Sequence, residues 1–317
     1  MTNITYRYYQ SGDEHNIVRL WNDVLRKDPI TAKRFRNLIL LDGNFDPEGV
    51  RLAFDGNKLV GCLYAVRRLL PMYGTDLEPE NGWIPFFFVA SDYVRQGIGK
   101  QLMEDGVTFL NHHERKYVFF ASYAPNYILP GIDEEAYPEA YQFLLTQGFA
   151  KLYSPVAMNY SLIGFELPSD VKSLIVKRQL EGYEFRAAED RDLYEVIQFA
   201  TNVFNPDWGR AIREGVLQGL SLSRIFIARK NGELVGFCLY SGYEGIPERF
   251  GPFGVQPDQQ GSGLGKILLY TCLHAMRAEG LQGAWFLWTG ETSPAGHLYK
   301  RVGFDVSRKF HVMKKTM

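Results

Sequence analysis

The chain repeats itself. Residues 5–20 (TYRYYQSGDEHNIVRL) and 184–199 (EFRAAEDRDLYEVIQF) each read as a short alternating strand, a polar turn and a helical run. Arg7 and Arg186 hold the same place in the two, 179 residues apart. GNKLVGCLY (56–64) is matched by NGELVGFCLY (231–240), with Gly61 over Gly236 at an offset of 175. RQGIGKQL (95–102) is matched by GSGLGKIL (261–268) at an offset of 166. QGFAKLYSPVAM (147–158) is matched by VGFDVSRKFHVM (302–313) at an offset of 155, constant through Met158 and Met313. Four landmarks in one order are not a chance similarity, and the shrinking offset places insertions in the first copy. The chain is two copies of one fold.

The join falls after Tyr160, where GFELPSD supplies stop and cap signals and VKSLIVKRQLEG reads as a short helix ended by Gly182. The expected division is residues 1–166, a linker helix over 167–182, and residues 183–317. In the second copy the pattern predicts a strand over 183–187, helices within 190–219, and strands over 224–230, 233–241 and 249–255. A helix over 263–279, a strand over 284–289, a helix over 294–302 and strands within 304–314 follow. Asn/Gly turns at 56–57 and 231–232 read as hairpins. This order describes an α+β unit, a mixed, mainly antiparallel sheet flanked by helices. The aromatic runs Trp83–Phe88 and Trp285–Trp288 read as buried central strands.

Composition removes several classes of function. Thirty-five Lys and Arg against 36 Asp and Glu leave a formal charge of −1, so a nucleic acid held by phosphate neutralisation is not the expected partner. Three scattered cysteines, Cys62, Cys238 and Cys272, with no CxxC, argue for buried thiols rather than a disulfide framework or a zinc cage. His112 and His113 do not make a metal site, because adjacent helical residues point about 100° apart. No metal is expected. The polar N-terminus lacks an apolar signal region and no run approaches ~18 apolar residues. The expectation is a cytoplasmic protein without a membrane partner.

The second copy leaves a strand through Val255-Gln-Pro-Asp-Gln-Gln-Gly-Ser-Gly-Leu-Gly-Lys266 and enters an amphipathic helix. A helix N-terminus offers orphan N–H donors and the positive end of the macrodipole. Glycines let the backbone close on a ligand, which together makes a pyrophosphate cradle. The plain alternative is a glycine-rich turn with no ligand. A dinucleotide fingerprint fails in both copies, since Lys100 and Lys266 follow the second glycine directly, and a P-loop fails at Gln101 and Ile267.

Gln260-Gly-Ser-Gly263-Leu-Gly265 resembles the [QR]xxGx[GA] signature of the GCN5-related N-acetyltransferases, the GNAT superfamily. Ala295-Gly-His-Leu298-Tyr299-Lys-Arg-Val-Gly303-Phe304 resembles that family's second signature, and Phe253-Gly-Val255 its splayed strand. The resemblance implies two tandem GNAT-like domains and acetyl-coenzyme A as co-substrate. The coenzyme would lie on Val255, Gln260, Gly261, Ser262, Gly263, Leu264, Gly265 and Lys266. Thr292 stands where the family often has an Asn, which leaves one coenzyme contact open. The implied activity is transfer of an acetyl group to a primary amine of a small acceptor. Acyl transfer from a thioester develops an oxyanion, which a backbone N–H at Val255, held in a bulge, would stabilise. The leaving thiolate needs a proton, and Tyr299 is the expected donor. A tyrosine in an amphipathic helix is otherwise core filler. Glu244, Glu248 and Glu291 flank the site strands and read as surface carboxylates rather than a general base.

The copies are not chemically equal. In the first, Gly97 and Gly99 survive within Val94-Arg-Gln-Gly-Ile-Gly-Lys100, but Leu144 occupies the tyrosine position before Gly148. A second coenzyme site would use Val89, Arg95, Gln96, Gly97, Ile98, Gly99 and Lys100. Tyr141 substitutes for the missing tyrosine only if its helix packs differently. The Pro-, Tyr- and acid-rich segment 123–140 suits either a substrate wall or a packing loop. Catalysis is therefore expected in the second copy, with the first a vestigial binder or a scaffold. Two rival readings are a coenzyme-binding regulatory or scaffold protein without turnover, and a tandem GNAT-fold aminoacyl or acyl transferase.

Overall fold

An arginine at the end of the opening strand of each copy reaches an aspartate that starts the next helix, and this sets both units up alike. Arg7 holds Asp13 through two bonds of 2.7 and 2.6 Å, and Arg186 holds Asp192 through two of 2.5 and 2.8 Å. The N–H of Gln10 donates to Asp13, and that of Glu189 to Asp192, each at 2.8 Å. Such bidentate, charge-assisted pairs fix direction as well as energy. Burial pushes Asp13 up, but the Arg7 and Gln10 donors outweigh it and hold it below the ordinary carboxylate value. The Arg186 hydrogen bonds, helped by Glu189 and Arg229, hold Asp192 far below that value. A depressed carboxylate contributes stability above its unfolded pKa, near ~3.9, and loses it as pH falls. Thermal melts are therefore expected to be flat from neutral pH to about 5 and to fall steeply below about 4. Asp192→Asn, which leaves Arg186 only Glu184 and Arg229 only Glu195 as carboxylate partners, is expected to cost about 1.5–3 kcal/mol at neutral pH and to blunt that acid limb.

The computed structural model describes residues 4–317. Along the chain lie β1 (Ile4–Tyr8), α1 (Glu14–Val24), α2 (Ala32–Phe35), β2 (Val50–Asp55), β3 (Lys58–Val66) and β4 (Asn81–Val89). Next come α3 (Ile98–His112), β5 (Tyr117–Phe120), α4 (Pro138–Thr146), β6 (Ala150–Tyr153), β7 (Pro155–Ser161) and α5 (Ser169–Leu180). The second copy follows with β8 (Tyr183–Ala187), α6 (Asp190–Phe199), α7 (Pro206–Leu217), β9 (Ile225–Lys230), β10 (Glu233–Tyr240) and β11 (Phe250–Val255). It ends with α8 (Leu264–Ala278), β12 (Gly283–Gly290), α9 (Pro294–Val302), β13 (Asp305–Lys309) and β14 (Val312–Thr316). The expected α+β class and its antiparallel bias hold, and within the seven-stranded sheet of the first unit the β4–β5 pair is parallel. All three cysteines are free and buried.

The chain divides into two units, and the closing strands do not follow the order of the copies. One unit takes the residues up to Pro71, Asp76–Pro155 and Lys309–Met317, and the other Met72–Thr75 and Val156–Arg308. In the first, the strand order is β1-β2-β3-β4-β5-β14-β6. In the second, β11-β10-β9-β8 and β12-β7-β13 form two sheets. Against the expected division at 1–166 and 183–317, the last strand of the chain thus sits in the sheet of the first copy, and β7 in a sheet of the second. The two strands descend from one repeat landmark at the offset of 155, where Ala157 and Met158 stand over Val312 and Met313, all four buried. Each enters its sheet on adjacent buried residues, so burial alone does not mark which sheet it joins.

The first unit packs Trp21 of α1 edge-on to Phe86 and Phe88 of β4, with ring centroids 4.7 and 5.6 Å apart. The second buries Val235, Cys238, Leu268, Cys272 and Phe286 between β10, α8 and β12. One expectation is corrected here. β4 is a buried central strand, but β12 lies at the edge of its sheet, and Trp288 is 50% exposed.

Candidate functional site

In the second unit β11 ends at Val255, and the chain turns through Pro257–Gln259 into α8. Gly261 and Gly263 sit at φ +79° and +88°, the left-handed region where only glycine is unstrained. Gly263 is the N-cap of α8 and no side chain caps it, so the N–H groups of the first turn keep their orphan donors. Gly265 lets α8 close on its neighbours: a Cβ there would stand 3.3 Å from Leu298 and 3.4 Å from Phe253. The turn is braced by Ser262 Oγ, which donates to the Gln259 carbonyl at 2.5 Å, and by Tyr183 Oη, which donates to Gln259 Oε1 at 2.7 Å. Gln260 and Thr292 are exposed, and Leu264 is buried.

The linker helix braces the same turn, which the sequence reading missed. Arg178 Nε donates to the Ser262 carbonyl at 2.8 Å, and Asp170 pairs with Lys266 at 2.6 Å. A Cβ on Gly263 would meet Leu174 at 2.9 Å. Asp170, Leu174 and Arg178 are four residues apart, one stripe of α5. That spacing was the available signal. The Lys266 ammonium is engaged by Asp170.

Beside the turn the sheet opens. β11 and β12 meet in a parallel bridge at Arg249 and Trp285, where the Trp285 N–H donates to the Glu248 carbonyl at 3.0 Å. Beyond it the paired partner of β11 is β10. The expected bulge lies elsewhere than at Val255. Val255 faces Gly236 in regular register, and the shift falls between Phe250 and Phe253, opposite Cys238 and Tyr240. A run of Gly, Pro and Phe accommodates an extra residue more readily than the β-branched Val255. The bond from Gln256 N–H to the Val235 carbonyl, 2.9 Å, makes the Gly236–Val255 pair a non-hydrogen-bonded one. The N–H groups of Val255 and, two residues back, Phe253 therefore point away from β10 into the opening. The sequence marks Phe253 as part of the splayed strand but assigns no donor role to its N–H.

Tyr299, on α9, borders this opening at 6% exposure. Its ring lies 4.5 Å from Phe286, 6.0 Å from Phe250 and 6.1 Å from Phe253. Burial pushes its hydroxyl far above the ordinary phenol value, so it is protonated at every physiological pH. The three carboxylates considered as bases are engaged. Glu244 pairs with Arg249 at 2.8 Å, Glu291 with Lys300 at 2.9 Å, and Glu248 accepts from the N–H groups of Gln282 and Gly283 at 3.1 and 3.2 Å.

The first unit keeps the backbone of this arrangement and changes its side chains. β4 and β5 pair from Asn81–Tyr117 to Ile84–Phe120 and then part, and a register shift lies between Trp83 and Phe86. Gly97 caps α3 at φ +84°, and Arg95 adopts φ +59° where the second copy has Gly261. Gly99 approaches Val89 and Phe143 as Gly265 approaches Val255 and Leu298. The Ala90 N–H donates to the Val60 carbonyl at 2.8 Å, so Val89 also turns its N–H toward the opening. Ile98 is buried, Gln96 donates to the Asp92 carbonyl at 3.0 Å, and Lys100 and Arg95 are exposed beside Glu104 and Glu139. Leu144, wholly buried, fills the place of Tyr299. Tyr141 packs on His311 at 5.3 Å.

Two units, each with parallel neighbouring strands that part beside a glycine-turned helix, define a duplicated α+β fold. A profile described as "Acetyltransferase (GNAT) family" matches residues 16–128, and one described as "Acetyltransferase (GNAT) domain" matches residues 221–306. The chain belongs to the GNAT superfamily, as a tandem member. It is 32% identical over 106 residues to a mycothiol acetyltransferase of Saccharomonospora viridis, a match covering 30% of this chain and 35% of that protein. It is 38% identical over 81 residues to one of Streptomyces avermitilis, covering 25% and 26%. The chain thus spans about a third or less of the curated relatives it matches. Among solved structures, a GCN5-related N-acetyltransferase from Sphaerobacter thermophilus matches 99% of this chain and 95% of its own, with TM-score 0.73 and 15% identity. A tandem GNAT protein from the clavulanic acid biosynthesis pathway matches 99% and 98%, with TM-score 0.65 and 15% identity. A GCN5-related glucosamine N-acetyltransferase region of a fungal multi-domain β-N-acetylglucosaminidase matches 99% and 38%, with TM-score 0.82 and 16% identity. At these identities the structures show the fold. No described helix is long and apolar enough to cross a membrane.

Proposed function

We propose that this chain transfers an acetyl group from acetyl-coenzyme A to an amine of a small acceptor, with the chemistry in the second unit. One observation carries the reading: a buried, protonated Tyr299 borders the strand opening beside the Gly263–Lys266 cradle, and Leu144 replaces it in the first unit. The residues fit the coenzyme. The turn at Gly261 and Gly263 is open to a pyrophosphate only without side chains, and the first-turn N–H groups of α8 are its donors. When bound, acetyl-coenzyme A supplies an activated acyl thioester. The N–H groups of Val255 and Phe253 would donate to the oxyanion as it develops. Tyr299 would hold the proton that the departing thiolate takes up. The aromatic wall of Phe250, Phe253 and Phe286 excludes water, which strengthens both interactions. A small acceptor is supported by the curated relatives' name, mycothiol acetyltransferase.

Free-thiol release from acetyl-coenzyme A, measured with a panel of aminosugars, polyamines, amino acids and peptide N-termini, tests the reading. The expected result is release that depends on one amine class. Coenzyme binding without release in any mixture would favour the regulatory alternative.

A further inference from the structure

The second unit holds a cavity that the transfer site does not use. It lies between the start of α5 and the end of α8, has a volume of about 450 Å³, and is lined by Phe165, Glu166, Leu167, Lys172, His274 and Arg277. That is room for a small molecule. Its walls are fixed locally. Phe165 stacks on Tyr270 of α8 with ring centroids 6.1 Å apart, and its N–H donates to the Leu162 carbonyl at 3.1 Å. His274 and Arg277, three residues apart, share one side of α8, while Leu273 and Met276 are buried in the core. The cavity stands apart from the cradle: His274 is eleven residues beyond Gly263, about 16 Å along the helix.

The charges around the cavity are unspent. The side chains of Glu166, Lys172, His274 and Arg277 form no ion pair or hydrogen bond among the described residues. Other charges of the same helices are paired, Asp170 with Lys266, Arg178 with Glu181, and Glu279 with Arg224. Arg277 lies in the last turn of α8, where the helix dipole favours a cation. Lys172 lies in the first turn of α5, where the dipole opposes one. An anion between Lys172 and Arg277 would stabilise both, through charge-assisted bonds. Glu166 lines the same cavity without pairing to either cation, which leaves it open to an ammonium. Two cations and one carboxylate are the inverse of a molecule with two carboxylates and one ammonium. Phe165 and Leu167 supply an apolar wall for the short chain that joins them, and the His274 imidazole adds a hydrogen-bonding group.

We propose that this cavity binds an acidic amino acid, with its carboxylates on Lys172 and Arg277 and its ammonium on Glu166. The site does not depend on the transfer activity of the unit.

Calorimetric titration of the full chain, without acetyl-coenzyme A, tests this with four probes. L-Glutamate carries all three groups, glutarate lacks the ammonium, L-glutamine lacks one carboxylate charge, and inorganic phosphate is an anion alone. L-Glutamate is expected to bind, with each of the others about tenfold weaker or more, one charge-assisted bond apiece. Lys172→Gln and Arg277→Gln should each lose about tenfold for L-glutamate, and Glu166→Gln should bind L-glutamate and glutarate alike. These side chains make no bond within the protein, so the variants should melt within a degree or two of the unaltered chain, and lost affinity then reads the cavity rather than the fold. No binding of L-glutamate, glutarate or phosphate binding as tightly as L-glutamate, or unchanged binding in Lys172→Gln and Arg277→Gln would each overturn the proposal.

Discussion

Removal of Phe310–Met317 is expected to unfold the first unit while the sheets of the second persist. β14 is an interior strand: it pairs with β5 from Met313–Phe120 to Thr316–Tyr117, and with β6 from Val312–Tyr153 to Lys314–Ala150. Phe310, Val312 and Met313 are fully buried. Each such side chain contributes about 1.5–3 kcal/mol by burial. Three of them, with both ladders, amount to most or all of the ~5–15 kcal/mol that holds an ordinary domain folded. Deletion of the same length from a frayed terminus would cost almost nothing. Amide hydrogen exchange reads the difference directly. Protection at Tyr117–Phe120 should collapse in the shortened chain, while Ile225–Lys230, in a sheet without β14, should keep it. Met313→Ala is the milder form, with an expected cost of about 2–5 kcal/mol. Unchanged protection at Tyr117–Phe120 in the shortened chain would mean that β14 is dispensable to that sheet.

Tyr299→Phe carries the largest expected effect on activity. The ring and its contacts to Phe250, Phe253 and Phe286 are kept, so stability should change little and the KM for acetyl-coenzyme A should hold. A positioned proton donor is worth about 10²–10⁴ in rate, and kcat should fall by about that much. Because burial lifts the phenol well above its ordinary value, no loss of activity from Tyr299 deprotonation is expected up to pH ~10. A tyrosine that only fills the core would leave kcat unchanged.

Much of this architecture is legible in the residues, and the exceptions have physical causes. The Arg7–Asp13 and Arg186–Asp192 pairs keep the 179-residue offset of the repeat, and the glycine turns keep theirs of 166. Those positions are dictated locally, by a left-handed φ or a short-range ion pair, so sequence carries them. The exchange of β7 and β14 is not local. Both carry adjacent buried residues, Ala157-Met158 and Val312-Met313, and nothing in either strand names the sheet it joins. The bulge was misplaced at Val255 because Phe250–Val255 offers several places for an extra residue, and only the pairing of Cys238 and Tyr240 selects one. The stripe of Asp170, Leu174 and Arg178 was visible in a segment read as connection alone. In β12, aromatic content suggested a buried strand, but edge position left Trp288 half exposed.

The central claim, that the α8 turn of the second unit holds acetyl-coenzyme A, is tested most directly by calorimetric titration of the full chain against its Gly263→Val variant. A valine there takes a left-handed φ that costs about 1–2 kcal/mol and sets a Cβ 2.9 Å from Leu174. The predicted result is binding by the unaltered chain and a loss of about tenfold or more in the variant. Absence of binding in the unaltered chain, or equal binding in the two, would contradict it.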